Sequence, residues 1–425
     1  MAISTAKAAE IILDNAVQTH EKQIQMLDLV DYVEPDAGAM QNSGNFIWSN
    51  VQQHAPIISG WDMTGSETEI IEETYPSVLG TPKNDMVEVR IDDLRDEGFW
   101  KRRGVESGLK QASELNRAIA ALIANTGSMF YRSTATSGYD FIAEAQALCS
   151  ERQLADGAMY FALNDRDNLA FGSDLAARQT LQGRPEQTWK TGQIGQNIAG
   201  FDVYNASFLP NLAGGADPAT TVTADVSLKP EGGSVDATTG VVTNVDYRVG
   251  TIAVTASANY NVGDRVTFAN GGTTVKALAL TDKTDTGQAM TFTIVAKPSG
   301  TSIQVYPKPI AADDAALSTL EKAYANIDTQ ILNTATVNRV NTDASNKTNI
   351  FWKKDSVEVI GGNIPAGYFK QFGGMKVVEQ TMSNGQKMYL MYDADIKTAK
   401  ASWRLFTWYG ITNRNPSANG VAVTA

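Results

Sequence analysis

The 425-residue sequence has few of the residues and segments that build common kinds of functional site. Cys149 is the only cysteine, so the chain forms no internal disulfide and has no cysteine-rich metal site. His20 and His54 are the only histidines, and both lie in arm-like segments close to the N-terminus, which disfavours a histidine-based catalytic triad. No apolar run reaches the roughly 18 residues of a membrane-spanning helix, so no membrane segment is predicted.

Catalytic fingerprints are also missing. No G-x-x-x-x-G-K-[ST] loop, G-x-S-x-G elbow, H-E-x-x-H pair or G-x-G-x-x-G turn occurs in the chain. The 35 lysines and arginines are outnumbered by 47 acidic residues, which gives a formal charge of −12. Because nucleic-acid binding needs basic surface, this balance disfavours a general DNA-binding role. The sequence therefore predicts no enzyme, no cofactor and no metal site.

A helical pattern of unusual length is the main feature that is present. The sequence predicts one helix over residues 92–130, with carboxylates in its first turns, the basic cluster Lys101-Arg102-Arg103 next, and no proline inside. Such a rod is about 50 Å long at 1.5 Å per residue. It is typical either of a helical bundle or of a fold with one scaffold helix. A single buried stripe is predicted from Phe99, Val105, Leu109, Ala112, Leu115, Ile119, Leu122, Thr126 and Met129.

Composition changes sharply at about residue 213. From there to about residue 308 the chain is rich in Thr, Val, Gly and Ala, and short alternating runs are separated by Gly- and Pro-containing turns. Such spacing predicts an independent all-β barrel or sandwich. Because a mixed α and β pattern continues on its far side, the β region is an insertion. A secreted carbohydrate-binding or adhesive protein is the alternative suggested by this region, and the long helix weighs against it.

Several short blocks along the chain resemble the major capsid (coat) proteins of tailed bacteriophages with the Hong Kong 97-type fold, in the P-twenty-two-like subgroup that carries an insertion domain. Blocks that follow one order over almost the whole chain are more specific than a lone motif. They are Asn45-Phe46-Ile47-Trp48, Gly60-Trp61-Asp62-Met63-Thr64, Asp92-Asp93-Leu94-Arg95-Asp96-Glu97, Gly200-Phe201-Asp202-Val203-Tyr204, Lys308-Pro309-Ile310-Ala311-Ala312-Asp313-Asp314, Ala323-Tyr324-Ala325-Asn326, Gly374-Met375-Lys376 and Thr412-Asn413-Arg414-Asn415-Pro416.

The resemblance implies an α+β fold with a long spine helix. Its expected parts are an N-terminal arm (1–44), an extended loop (45–85), a peripheral domain with the spine helix (86–130), an axial domain (131–212 and 326–395), an inserted β-barrel domain (213–325) and a C-terminal strand of the peripheral domain (396–425).

For two of these parts, the sequence allows a second interpretation. Residues 5–27 have helical spacing and predict either a surface helix packed on its own core or an arm that contacts neighbours. Residues 45–91 predict either an ordinary hairpin or a loop that lies over an adjacent subunit. The second is favoured, since Trp48 and Trp61 would expose apolar surface unless another chain covered it.

Other local patterns predict a helix over 139–151, a buried strand over 159–163 and a helix over 169–181. Cys149 lies on an apolar helical face and is expected to be a small buried hydrophobe. The apolar block 403–411 predicts a strand buried on both faces.

By resemblance, the chain is a major capsid protein that self-assembles into an icosahedral shell around a double-stranded DNA genome, first as a procapsid on scaffolding protein and then maturing by expansion. The implied partners are copies of itself in hexamers and pentamers, a scaffolding protein and a portal protein. The DNA would be enclosed without sequence-specific binding and no membrane is involved. The implied location is the virion capsid, assembled in the host bacterial cytoplasm. The expected interface residues are Trp48, Trp61, Asp62, Met63, Asp93, Arg95, Asp96, Arg102, Arg103, Glu231, Asp236 and Asp246.

Overall fold

The computed structural model places the chain in two compact units. Unit 1 comprises Met1–Ile47, Ser77–Ile119 and Val357–Thr412, and unit 2 comprises Trp48–Pro76, Ala120–Ser356 and Asn413–Ala425. The structure describes residues 5–35, 44–52, 57, 59–62, 64, 72–90, 97–135, 137–177, 193–216, 220–232, 246–341, 346–364, 376–395 and 400–424.

Helices are few in the described chain. The α-helices are α1 (Thr5–Gln23), α2 (Glu97–Thr126), α3 (Gly138–Glu151), α4 (Asp165–Ala177) and α5 (Thr319–Lys322), and short 3-10 helices occupy Leu27–Leu29, Lys354–Ser356 and Pro416–Ala418. The long helix is confirmed over 97–126, but its predicted end at residue 130 is wrong. Gly127 follows α2 and Met129 begins a strand, so the chain leaves the helix four residues earlier. The helix predicted over 169–181 begins earlier, at Asp165.

Strands make up most of the rest. They are β1 (Asp31–Val33), β2 (Phe46–Gln52), β3 (Glu72–Val78), β4 (Lys83–Arg90), β5 (Met129–Ser133), β6 (Met159–Leu163), β7 (Gln193–Ile198), β8 (Phe201–Asn205), β9 (Asn211–Leu212), β10 (Thr220–Thr221), β11 (Gly250–Ala253), β12 (Arg265–Asn270), β13 (Thr273–Thr274), β14 (Lys276–Leu278), β15 (Asp285–Ala289), β16 (Phe292–Ser299), β17 (Ser302–Tyr306), β18 (Thr336–Arg339), β19 (Asn346–Lys347), β20 (Asn349–Lys353), β21 (Val357–Gly361), β22 (Lys376–Thr381), β23 (Lys387–Asp395), β24 (Lys400–Thr407), β25 (Tyr409–Asn413) and β26 (Gly420–Thr424).

Unit 1 is built on an antiparallel sheet of order β22-β23-β24-β4. The helix α1 packs on this sheet and buries Ile12, Leu13, Ala16 and Val17 almost completely. The helix therefore packs on its own chain, as the first alternative predicted, and it ends at Gln23; the contact of this segment with neighbouring copies stays a prediction. The sheet's inner face and α1 share one core with Trp100 of α2.

The contact between α1 and α2 depends on two glycines one helical turn apart. A Cβ atom at Gly104 would lie 2.5 Å from the Ile12 carbonyl oxygen, and one at Gly108 would lie 2.3 Å from the Ala16 carbonyl oxygen. Real side chains do not approach backbone so closely, so the two helix backbones can meet only where α2 has no side chain.

The stripe predicted on α2 is wrong in its first half. Val105 is 39% exposed and Leu109 is 43% exposed, whereas Ser107 and Gln111 are buried. The reason is that the covered face carries Gly104 and Gly108 and polar side chains with partners. Gln111, for example, accepts a hydrogen bond from Thr407 on β24 at 2.8 Å. The spacing of apolar residues could not predict this covered face, because its contacts are made by glycine and amide groups.

His20 is the titratable side chain of α1 that lies deepest. It is 0% exposed, and neither ring nitrogen has a hydrogen-bond partner among the described residues. Burial disfavours the imidazolium ion and lowers the pKa of His20 to about 4, although the neighbouring Glu21 carboxylate acts in the opposite direction.

This pKa predicts acid sensitivity. An exposed histidine in the unfolded chain has a pKa of about 6.5, so the unfolded state binds the proton first as the pH falls. The neutral His20 side chain contributes about 3 kcal/mol to the free energy of unfolding. This contribution is fully present above pH 6.5 and is lost as the pH falls from 6.5 to 4. Urea unfolding of the wild type and of His20→Leu at pH 7 and pH 5 checks it. The wild type should lose more stability than the variant; equal losses would contradict the prediction.

Unit 2 contains a mixed sheet of order β5-β26-β20-β6-β8-β7, in which β5 with β26 and β6 with β8 are parallel pairs. The helix α3 covers one face and buries Phe141, Ile142 and Cys149 against Phe161 and Phe351. Cys149 is 0% exposed and burial raises the pKa of its thiol to about 12, so its predicted role as a small buried hydrophobe is confirmed. The predicted helix at 139–151 and strand at 159–163 are also confirmed.

A second sheet of unit 2 closes on itself. Its order is β10-β18-β12-β16-β17-β11, with β13 paired to β12. The two end strands meet through backbone bonds from Thr223 N to Ala253 O, at 3.0 Å, and from Thr255 N to Thr221 O, at 2.9 Å. Apolar side chains from β11, β12, β16, β17 and β18 fill its interior, among them Phe268 and Phe292, and Val222 adds to it directly after β10. That this closed sheet is the subgroup's inserted domain stays a prediction.

The last turn of α2 is held by side chains of the closed sheet. Arg265, at the start of β12, is 0% exposed and donates to Ala124 O at 2.6 Å, to Gly127 O at 2.8 Å and to Gly263 O. Thr293 on β16 also donates to Gly127 O, at 2.7 Å. These donors satisfy carbonyl groups that have no partner within the helix, and the cation lies at the negative end of its dipole.

The strand predicted over 403–411 is wrong, because this block forms two strands in different sheets. Up to Leu405, β24 buries alternate residues and leaves Arg404 exposed, so it is not apolar on both faces. The chain changes sheets at Trp408, whose indole nitrogen donates to Gly80 O at 2.6 Å. Only β25, after it, joins the sheet of order β1-β21-β25.

Strand pairing also crosses two of the predicted domain limits. β23, which ends the second axial segment, pairs with β24 of the C-terminal segment along its whole length. β26 of that same segment lies between β5 and β20 in the mixed sheet. The division into arm, loop, peripheral and axial domains stays a prediction.

Candidate functional site

The segment between β2 and β3 carries the most exposed apolar side chains of the described chain. Trp61 is 107% exposed and Ile57 is 96% exposed, so neither is covered by its own chain. The next residues form a turn in which Thr64 donates from its backbone nitrogen, at 3.0 Å, and from its hydroxyl, at 2.7 Å, to one oxygen of Asp62. Because both hydrogen bonds stabilise the ionised carboxylate, they lower the pKa of Asp62.

Sequence reasoning found Trp61 and missed Ile57. The available signal for Ile57 was the apolar pair Ile57-Ile58 between Pro56 and Gly60 in an otherwise polar stretch. Trp48 lies on β2 and is partly buried, so it differs in environment from Trp61. Met63, the fourth residue predicted in this loop, lies outside the described residues.

Arg103 is the predicted spine residue with the clearest geometry. Its guanidinium binds Asp85 of β4 at 2.8 Å and Glu106 of α2 at 2.9 Å, and both Arg103 and Asp85 keep only 15% of their side-chain surface exposed. Ser107 donates to the same Asp85 oxygen at 2.6 Å. These ion pairs lie within the chain and attach α2 to β4. Arg102 is exposed.

Three other predicted spine residues, Asp93, Arg95 and Asp96, lie outside the described residues, as does Asp236 of the β region. Their expected place at a subunit interface stays a prediction.

Asp246 is paired within its own chain. Its two oxygens accept bonds from the Arg248 guanidinium at 2.7 and 2.9 Å. Arg248 is 7% exposed and also donates to Asn413 O and Arg414 O, and its charged carbon lies 4.0 Å above the Tyr75 ring. Asp246 thus orients an arginine that ties three segments of unit 2 together. The contacts of Arg248 with Tyr75 and Asn413 were not predicted, because these residues are distant in sequence.

Glu231 makes a weaker contact. Its carboxylate lies 3.8 Å from the Lys229 ammonium, and both side chains are about half exposed. Exposed pairs of this kind contribute about 0 to 1 kcal/mol. Glu231 is therefore available to other partners.

A second exposed apolar feature lies on unit 1. Val105 and Leu109 are neighbours at i and i+4 on α2. Met86 of β4 is 63% exposed. Sequence reasoning placed the first two in the core.

Within the described ranges, no group of three or more His, Cys, Asp or Glu side chains is placed to hold a metal ion. Among the helices that the structure describes, none is both long enough and apolar enough to cross a bilayer.

The whole chain, residues 1–425, matches the profile of the family described as P22 coat protein, gene protein 5. Solved structures that it is similar to include that of Mycobacterium phage Che8, at 10% identity and a TM-score of 0.45, covering 94% of this chain and 90% of that one. The capsid of cyanophage P-SCSP1u has 9% identity and a TM-score of 0.44, with 93% and 86% covered. The capsid of Ralstonia phage GP4 has 8% identity and a TM-score of 0.43, with 95% and 89% covered.

Proposed function

The chain belongs to the P22 coat protein family, and we propose that the segment between β2 and β3 joins its copies by covering a neighbouring subunit. The protein is a major capsid protein with the fold of that family, not an enzyme, and its copies form the capsomers of an icosahedral phage shell. In the contact between copies, Trp61 is the central residue, and Trp48, Asp62 and Met63 lie around it.

The exposure of Trp61 supports this proposal. An aromatic side chain buries about 150 to 250 Å² when covered, and at about 25 cal/mol per Å² this corresponds to roughly 5 kcal/mol before the cost of ordering. Ile57, 96% exposed, adds apolar surface in the same segment. A shell repeats one contact many times, so even a small favourable free energy per contact stabilises the whole assembly.

Family membership and charge support a proposal for the finer steps of assembly. We propose hexamers and pentamers that first form a procapsid on a scaffolding protein, include a portal protein, and mature by expansion in the bacterial cytoplasm. The net charge of −12 supports a wall that confines double-stranded DNA without binding its sequence. Arg102, Glu231 and the residues Asp93, Arg95, Asp96 and Asp236 remain candidates for contacts between copies.

Trp61→Ala tests the contact. We expect the variant chain to fold normally and the yield of shells to fall at least tenfold, because a central aromatic anchor typically contributes about 2 kcal/mol or more to an interface. Sedimentation velocity and negative-stain electron microscopy, after co-expression with a candidate scaffolding protein, measure shells and unassembled chain.

The matched control is Leu169→Ala, which removes another exposed apolar side chain of unit 2, 76% exposed on α4. Its shell yield should stay near wild type. Wild-type shell yield in Trp61→Ala would refute the proposal, and a lower urea midpoint of the unassembled variant would mean that Trp61 belongs to the core.

A further inference from the structure

Unit 2 contains a cavity of about 170 Å³ whose lining is rich in cations. One water molecule needs about 10 to 15 Å³ of such volume, so the cavity has room for a polyatomic ion together with water. Its charged lining residues are Glu73, Arg152, Arg248, Lys283 and Lys308. They come from five separate stretches of the chain, and only Lys308 belongs to one of the family-like sequence blocks.

Part of this charge is compensated. Asp246 binds the Arg248 guanidinium through both oxygens, so that cation is paired. Glu73, 5% exposed, is the one carboxylate of the lining and attracts the Lys308 ammonium, which also donates to Lys229 O at 3.3 Å. Arg152 and Lys283 remain, which leaves two positive charges without a counter-ion in the lining.

The two remaining cations have unused donors. Arg152 is 5% exposed; one terminal nitrogen donates to Thr291 Oγ1 at 3.1 Å, while its buried Nε has no partner among the described residues. Lys283 has neither an ion pair nor a hydrogen bond in the described part of the chain. Burial lowers the pKa of Arg152 to about 10 and that of Lys283 to about 8, although the neighbouring Glu151 carboxylate acts in the opposite direction on Arg152.

We propose that this cavity binds a small oxyanion with two negative charges, of which hydrogen phosphate is the simplest, between Arg152 and Lys283. A guanidinium presents parallel N–H donors to a tetrahedral or planar oxyanion, and a lysine ammonium adds a compact charge with three donors. The loop that carries Lys283 is adjacent to Arg152, since Leu280 N donates to Arg152 O. A bound dianion would neutralise both cations.

Isothermal titration calorimetry of the full-length chain with sodium phosphate at pH 7.5, against sodium chloride of equal ionic strength, tests the proposal. We expect one saturable site per chain. Arg152→Met and Lys283→Met should each raise the dissociation constant about tenfold, which corresponds to one lost charge-assisted contact. Lys347→Met, an exposed lysine of the same unit, should leave it unchanged.

A second titration with adenosine monophosphate separates two sources of the same chemistry. Tighter binding of inorganic phosphate supports a free ion as the ligand. Equal or tighter binding of the nucleotide supports the phosphate group of a larger molecule. In both cases Arg152→Met and Lys283→Met must weaken the binding.

Absence of saturable binding of either phosphate, or equal binding by the wild type and both variants, would overturn the proposal. If Arg152→Met does not fold, because Thr291 loses its donor, Lys283→Met decides the question, since its side chain has no partner to lose. The readout is binding to the chain and does not depend on shell assembly.

Discussion

Arg265→Met should destabilise unit 2 by about 3 to 5 kcal/mol, the usual cost of removing one partner from a buried charged network. The variant leaves the carbonyl groups of Ala124, Gly127 and Gly263 short of donors in a site with no access to water. It also removes the cation that interacts electrostatically with the fully buried Asp264. Hydrogen exchange of β12 and β16, followed with increasing urea, measures the loss.

Arg166→Met is the matched control, because it makes the same change at an exposed arginine of unit 2. A surface change of this kind usually alters stability by less than about 0.5 kcal/mol. A wild-type urea midpoint in Arg265→Met would mean that methionine packing replaces the network fully, and the role assigned to Arg265 at the end of α2 would be wrong.

Gly108→Val should separate α1 from α2 at a cost of about 3 kcal/mol, near the upper end for overpacked contacts. The first added carbon already lies 2.3 Å from the Ala16 carbonyl oxygen, and this neighbour is backbone that cannot rotate away. Helix propensity acts in the opposite direction, since valine is better than glycine inside a helix by about 0.4 kcal/mol. Hydrogen exchange over residues 5–23 and the urea midpoint report the result.

The sign of the effect makes this test decisive. If α1 were an arm without contact to α2, the variant would be slightly more stable than the wild type. Ser113→Val is the control on the same helix, because Ser113 is exposed and serine and valine have similar helix propensities. Its stability and the exchange of α1 should match the wild type.

Much of the local structure could be predicted from periodicity. The long helix, the helix that contains Cys149 and the buried strand 159–163 were predicted correctly because the apolar residues of each follow a single pattern, either helical spacing or a short continuous run. Predictions were wrong where a local pattern allowed two outcomes, as at 403–411. There an apolar run gave no sign that the chain passes from one sheet to another at Trp408.

The candidate interface was only partly predictable. Trp61 was found because a tryptophan in a polar loop is unusual, whereas Val105 and Leu109 were assigned to the core from their spacing. The cavity of unit 2 had no signal, because Arg152 and Lys283 are common surface residue types in sequence and meet only in the fold.

Neighbouring residues and ordered blocks were enough to assign most helices and strands, to predict that the Cys149 thiol is buried and to find the family that the chain resembles. The covered face of α2, the carboxylate that each arginine binds and the cations without counter-ions became evident only in the folded chain. Burial and pairing of a polar group depend on distant segments: Gly108 needs Ala16, Arg265 needs Ala124, and Arg248 needs Asn413.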